Sequence, residues 1–214
     1  MQDDCKLQSR KLVSGLVTVR APATARSRRT RANLAQAAHA HLAEHGTLNA
    51  ETTAESAGVS TATFYSHFAT HDDAIAAALD ITLTAVVGVA ERLFHIEALI
   101  ENGLSAVLDD LIVEMHRVFR SESLVMRAAL ARLPSHQPTR EIYRGHEARS
   151  LEHLTRQIEL GQKAGLLREG QHDLRATTLL VLLQGLHNPL LTNPIDAEVA
   201  ADLHRSIYAV LDPG

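Results

Sequence analysis

The sequence predicts an all-α protein, on three observations. Hydrophobic residues make up 45% of the 214 residues, yet aromatics are only 3% and Trp is absent. The apolar content is mostly Ala, Leu and Val, recurring with the period of a helix and not alternating as in a strand. Between these runs stand residues that start and stop helices: Ser, Thr, Asn or Asp ahead of a run, Gly or Pro behind it.

Residues 1–28 show no sustained periodicity, and disorder is expected as far as Ser27, Arg28 and Arg29. Thr30 is placed to cap a first helix with Leu34, Ala37, Ala38, His41, Leu42 and His45 inward and Gly46 as its stop. Asn49 caps a second, in which Thr53, Ala54 and Ala57 face inward, and Ser60 caps a short third carrying Phe64 and Phe68. Thr70 and Asp73 have capping-box spacing. They open a long helix through Ile75, Leu79, Leu83, Val86, Val87, Ala90 and Phe94. The next helix carries Leu104, Leu108, Leu111, Ile112, Met115 and Phe119, and a shorter one from about Leu124 to Leu133 stops at Pro134. Pro138 suits the first turn of a helix that runs to about Ala164, with Ile142, Leu151, Leu154 and Ile158 inward and Gly165 as its stop. Asp173 caps a helix to about His187 that is apolar nearly all round, and such a helix must be covered on every side. Pro189 and Pro194 bracket a loop. Asp196 then caps a last helix with the stripe Val199, Leu203, Ile207, Val210 and Leu211.

The net charge of −4 conceals a sharp asymmetry. Residues 1–31 hold eight basic side chains (Lys6, Arg10, Lys11, Arg20, Arg26, Arg28, Arg29 and Arg31) against Asp3 and Asp4, or +6. Residues 32–91 hold seven acids and no Lys or Arg, or −7. A basic arm beside a compact domain points to a polyanion as partner. The single Cys5 cannot form an internal disulfide and fits a reducing cytoplasm. The apolar runs near Ala176 to Leu183 and Ala85 to Ala90 are too short to span a bilayer, and no signal peptide is expected.

Residues Asn49 to Phe68 carry the clearest functional signal. Two helices meeting at a steep angle need a small, sharp, packed turn. Ala57 permits close approach, Gly58 supplies a left-handed conformation and Val59 plugs the corner. With Phe64 and Phe68 buried, Thr61, Ala62, Thr63, Tyr65, Ser66 and His67 are left as groove and phosphate contacts. Short hydroxyl and methyl side chains suit base edges and thymine methyls.

These residues resemble the N-terminal domain of the TetR family of bacterial transcriptional regulators. The features that match are the pair Ala37 and Ala38, then Glu44, His45 and Gly46 closing the first helix. Ala57 to Ser60, Thr63 to Tyr65, and His67 with Phe68 complete the pattern. Order and spacing agree over about residues 30–80; beyond that the likeness is one of architecture. The resemblance implies about nine helices in two parts. An N-terminal three-helix helix-turn-helix DNA-binding domain spans 29–75, after a basic arm at 1–28. A C-terminal helical ligand-binding and dimerisation domain spans 76–214. It implies a homodimer on double-stranded operator DNA, released by a small-molecule effector. Residues Ser60 to Thr63 would enter the major groove, Asn49, Tyr65, His67 and His71 would lie at the interface, and Arg26, Arg28, Arg29 and Arg31 would supply attraction to phosphate. The helices from Asp173 and Asp196 would pair with their partners through Leu179, Leu182, Leu183, Leu186, Val199, Leu203, Ile207 and Val210. Candidate effector-lining residues are Leu93, Phe94, Met115, His116, Phe119, Met126, Tyr143, His146 and Gln184, a set that suits an apolar or amphipathic molecule.

The chain departs from the family pattern at His41 and Thr53, where leucine and isoleucine are common. At Thr61 and His71 it departs again, where basic residues are common. A rival lies in His41, Glu44 and His45, which fit the H-x-x-E-H zinc pattern. No third ligand is evident, and no phosphate-binding loop or nucleophilic triad stands out. The reading is therefore a cytoplasmic repressor, not an enzyme, with no cofactor, no metal and no membrane. The alternative is a dimeric helical small-molecule-binding protein with weakened or lost DNA binding.

Overall fold

In the computed structural model the residues described are 24–187 and 196–214. They form nine α-helices, one short 3-10 helix and no strand. In order these are α1 (Ala25–His45), α2 (Ala50–Ser56), α3 (Thr61–His67), α4 (His71–Leu93), α5 (Ile96–Ser121), α6 (Ser123–Leu130), α7 (Gln137–Lys163), α8 (His172–Gln184), the 3-10 helix Gly185–His187, and α9 (Ala197–Leu211). The loop expected around Pro189 and Pro194 falls outside the described residues, as does Cys5.

Several helices begin at their expected caps. Asn49 Oδ1 accepts from the Thr52 amide at 3.0 Å, and Ser60 Oγ from the Thr63 amide at 3.2 Å. Thr70 and Asp73 cap α4 reciprocally, at 3.2 Å and 2.9 Å. Asp196 accepts from the Glu198 amide at 2.8 Å. These bonds satisfy amide groups that have no partner within the helix.

Other boundaries differ from the sequence expectation. Helix α1 starts before Thr30, because Thr24 is itself a capping residue and accepts from the Ser27 amide at 3.2 Å. Arg26, Arg28 and Arg29 therefore stand on an ordered helix, and Thr30 lies inside it with its hydroxyl donating to the Arg26 carbonyl. His45 is exposed, not inward. Asp173 sits in the first turn of α8 and Gln171 takes the cap position; an acid there still favours the helix dipole. Helix α5 starts at Ile96, with His95 as its cap, and breaks at Gly103, where φ is 76°. Helix α6 ends at Leu130, short of Leu133. The chain tightens into turns in which Arg132 and Leu133 donate to Ala129 and Leu130, since Pro134 disfavours helix in the residue before it.

Helix α4 is the spine. Ala74 belongs to a core with Leu34, Ala38, Ala54, Phe64 and Phe68 of α1 to α3. Ile75, Ala78, Leu79 and Leu83 pack with Leu42 of α1 and Val125, Met126 and Ala129 of α6. Val89 and Ala90 join the largest core, built with α5, α7, α8 and α9. One helix thus contributes to three successive cores. Its apolar character follows, and it corrects the expectation that no stretch is long enough to cross a membrane. By length and composition α4 is, but more than half of the qualifying stretch is buried inside the protein, as a shared core helix must be.

At the far end, α7 turns back through Gly165 (φ 69°) so that Leu167 packs directly on Gly161. A Cβ on Gly161 would lie 2.6 Å from Leu167 Cδ1 and 2.7 Å from its Cγ, and Leu167 is buried. Gly161→Ala is expected to cost about 1–3 kcal/mol through overpacking. Thermal unfolding reads this as a melting temperature lower by several degrees; an unchanged value would contradict the close approach.

Candidate functional site

The turn between α2 and α3 closes as a helix-ending motif with two backbone bonds. Val59 N–H donates to the Ala54 carbonyl at 3.0 Å and Gly58 N–H to the Glu55 carbonyl at 2.9 Å. Gly58 has φ 69°, the left-handed conformation the motif requires. Thr53, which stands where the family often carries isoleucine, is fully buried, and its hydroxyl donates to the Asn49 carbonyl at 2.6 Å. The hydroxyl is thereby satisfied without a larger side chain.

Helix α3 turns Phe64 and Phe68 inward, their ring centroids 5.5 Å apart. Ser60, Ala62, Tyr65 and Ser66 are exposed, with Thr61, Thr63 and His67 half-buried. Tyr65 and His71 stack at 6.2 Å and hydrogen-bond at 3.2 Å through the phenol and Nε2, which fixes their positions beside α3. His67 is held below the ordinary histidine range by burial and then by the charge of Arg31, so it is a neutral group near pH 7.

Arg31 is separate from the other basic side chains. Its guanidinium donates to the His67 carbonyl and lies 4.4 Å over the Phe68 ring. Burial lowers its pKa, against a smaller opposing effect of Asp73. It closes the C-terminal end of α3 and is not displayed to solvent like Arg26, Arg28 and Arg29, which are exposed on α1. The zinc-pattern histidines His41 and His45 pack edge to face at 4.5 Å. Among the described residues no group of three or more His, Cys, Asp or Glu is placed to hold a metal.

A second feature lies between α4, α5, α6, α7 and α8: an apolar cavity of about 60 Å³. Met115, Phe119, Met126, Tyr143, His146 and Gln184 line it. Leu93, Phe94 and His116, expected with them, do not. Phe94 is fully buried at the end of α4, where its carbonyl accepts from His153 at 2.9 Å. His187, Ser150, Glu147 and Leu180 line the cavity and were not anticipated. The spacing of Tyr143, His146, Ser150 and Leu154 along one face of α7 carried a signal for Ser150. His187 carried none, since its position depends on the 3-10 turn after α8.

No protein-family profile matches the chain, and no curated protein is similar to it. Solved structures are similar. A protein from Mesorhizobium loti assigned to the TetR family of transcriptional regulators aligns with a TM-score of 0.69 at 21% identity, over 88% of this chain and 100% of the other. A TetR transcription regulator from Haloarcula marismortui aligns at 0.67 and 21% identity, over 86% of this chain and 96% of the other. A complex of SmeT with triclosan aligns at 0.58 and 21% identity, over 86% and 92%. The chain has the TetR-family fold.

Within that fold, the surface left by α8 and α9 differs from the expected dimerisation set. Leu179, Leu183, Leu186 and Ile207 are buried in the chain's own core, and Leu203 and Val210 pack against it. The outward apolar residues are Leu174, Val181 and Val199, while Leu182, half-buried, packs against the same core as Leu203 and Val210. Apart from Val199, the stripe that sequence spacing revealed is the face that anchors the two helices to the body, because burial within the chain and burial by a partner leave the same apolar pattern.

The helix-turn-helix end of the TetR-family fold is fastened to the remainder by paired side chains along α4. Asp72 accepts from Arg132 at 2.5 Å, Asp73 faces His136 at 3.3 Å, and Asp80 faces His146 at 2.6 Å. Glu122, at the junction of α5 and α6, faces His39 of α1 at 2.7 Å and accepts from Thr82 of α4 at 2.8 Å. The hydrogen bond with His39 is the main cause holding Glu122 below its ordinary range, against the opposing effect of burial. A carboxyl depressed in this way stabilises the fold above its ordinary pKa and loses that contribution as pH falls through the depressed value. Glu122→Gln is expected to lower stability by about 1 kcal/mol near neutral pH. Denaturant unfolding should show the gap from the parent closing as pH is lowered below about 4; a gap that ignores pH would refute the charged pairing.

Proposed function

We propose that the protein is a ligand-responsive, DNA-binding transcriptional regulator, a dimeric repressor of a palindromic operator that a small, largely apolar effector releases. The observation that carries this reading is α4. At one end it shares the core of a helix-turn-helix unit; at the other, Leu83, Val86, Val87 and Ala90 wall an apolar cavity. One of the solved structures with this fold is a complex with triclosan, which supports a small apolar molecule as occupant.

On the DNA side, the exposed face of α3 (Ser60 to Thr63, with Tyr65) would read the major groove, and Asn49, His67 and His71 would flank it. Phosphate attraction falls to Arg26, Arg28 and Arg29 on α1 and to Lys6, Arg10, Lys11 and Arg20 before it, since residues 32–91 hold no Lys or Arg. Arg31, already engaged with Phe68, contributes positioning of α3. On the ligand side, about 60 Å³ is far below the roughly 300–1,000 Å³ of a small-molecule site. Occupation therefore requires α7 and α8 to move relative to α4, and the paired side chains along α4 carry that movement to the DNA-reading unit. The effector acts only through its different affinity for the two arrangements. Dimerisation would use the outward residues Leu174, Val181 and Val199.

The lysine- and arginine-free stretch favours a second reading, a helical binding protein that no longer reads DNA. Selection from random DNA separates the two. A regulator enriches an inverted repeat with half-sites one helical turn or a multiple apart, and failure to enrich any repeat leaves the second reading. With the enriched site in hand, deletion of residues 1–23 should weaken binding. It should also reduce the slope of log affinity against log salt by about 0.9 for each phosphate that the arm neutralises. An unchanged slope would return phosphate attraction to α1 alone. Val181→Asp places a charge on the proposed dimer face, and sedimentation should then report a monomer where the parent is a dimer.

A further inference from the structure

The cavity wall is aliphatic and aromatic, with Leu83, Val87, Met115 and Phe119 among its lining residues. Tyr143, Glu147, Ser150 and Gln184 interrupt it, and so do two histidines. His187 packs edge to face on Phe119 at 5.3 Å, and both its ring nitrogens are buried without a hydrogen-bond partner among the described residues. His146 gives its Nε2 to Asp80 at 2.6 Å, while its Nδ1 is likewise buried and unpartnered. Buried polar atoms are nearly always satisfied, and each exception asks for an explanation.

We propose that the cavity takes a neutral, mostly apolar molecule bearing a hydroxyl group, which His187 and His146 orient, and that it rejects carboxylates. This rests on the cavity being the effector site.

The hydrogen-bond inventory selects the group. Burial lowers the pKa of His187 against a smaller opposing effect of its own backbone, so the neutral ring with one N–H and one bare nitrogen is favoured. His146 turns Nε2 to the Asp80 carboxylate, and in the tautomer that donates there Nδ1 is the acceptor left facing the cavity. A hydroxyl can donate to a bare nitrogen and accept from an N–H with one atom. A carboxylate has no proton to give either acceptor. It would also be desolvated without a cation, because no Lys or Arg lines the cavity and its one charged lining residue is the acid Glu147. Tyr143 adds no negative charge, since burial, with Glu147 nearby, raises its pKa. An ammonium could donate to the same bare nitrogens, but the counter-charge it needs is found only on Glu147, which is exposed and faces Gln184 at 3.3 Å.

Four single-ring probes of similar shape test this on the full chain by titration calorimetry: para-ethylphenol, ethylbenzene, para-ethylbenzoate and phenethylammonium. The phenol is expected to bind about tenfold more tightly than ethylbenzene, the difference one satisfied buried group makes. Neither ion should approach it. His187→Phe and His146→Phe should each erase most of the phenol's advantage while leaving ethylbenzene affinity within about threefold, since both keep a ring in place. If one variant fails to fold, the parent's probe ranking and the other variant decide. Ethylbenzene binding with no preference for the phenol, or an ion binding as tightly as the phenol, overturns the hydroxyl assignment and leaves the cavity as an apolar site. Binding of no probe overturns the cavity reading itself.

Discussion

The constraint on which the structure depends is that α4 must satisfy several cores at once. Its first turn carries Ala74 into the core of Phe64 and Phe68, its middle packs on α1 and α6, and its end joins the cluster around Leu108 and Leu111. A helix in that position keeps only part of its surface for water, at residues such as Asp80, Thr84, Ala85 and Arg92. Its acids have specific partners: Asp72 and Asp73 meet Arg132 and His136 of the turn before α7, and Asp80 and Glu91 meet His146 and Arg149 of α7. Packed interiors do not deform continuously, so a change at the cavity wall has to be expressed as a shift of α4 against its neighbours. That suits the helix to act as a lever, with the Glu122, His39 and Thr82 contact as a separate tie between α1 and the body.

The helix-turn-helix unit shows how one cation can be diverted from a surface role to an internal one. A sequence this poor in basic residues between Arg31 and Arg92 invites assigning every nearby arginine to phosphate. Arg31 instead commits its donors and its planar face to the end of α3. Stacking on an aromatic ring and bonding a carbonyl are both compatible with guanidinium chemistry. Orientation and attraction are thus divided between neighbouring residues of α1, with Arg26, Arg28 and Arg29 left exposed for the latter.

The cavity is small and mainly apolar, and its polar atoms are few enough to count. Their arrangement matters more than its volume. An apolar wall sets no preference among hydrocarbons, whereas unpartnered imidazole nitrogens discriminate by what a ligand can donate or accept. The only full charge on the lining is negative and lies at the exposed edge, on Glu147.

The sequence by itself determined the helical class, most helix starts and the reading unit, because these rest on local chemistry. A cap such as Asn49 or Ser60, the Gly58 turn and the spacing of Phe64 with Phe68 act within a few residues and need no distant partner. Tertiary structure alone decided which face each apolar stripe presents. Leu179, Leu183 and Ile207 carry the same pattern whether covered by their own chain or by a second copy, and only the position of the other helices shows that the chain's own core takes them. It also decided that Arg31 folds onto Phe68 and the end of α3, and that His187, delivered by a short turn, meets Phe119 and the wall of the cavity. Each of these depends on contacts between residues far apart in the chain, which no local period records.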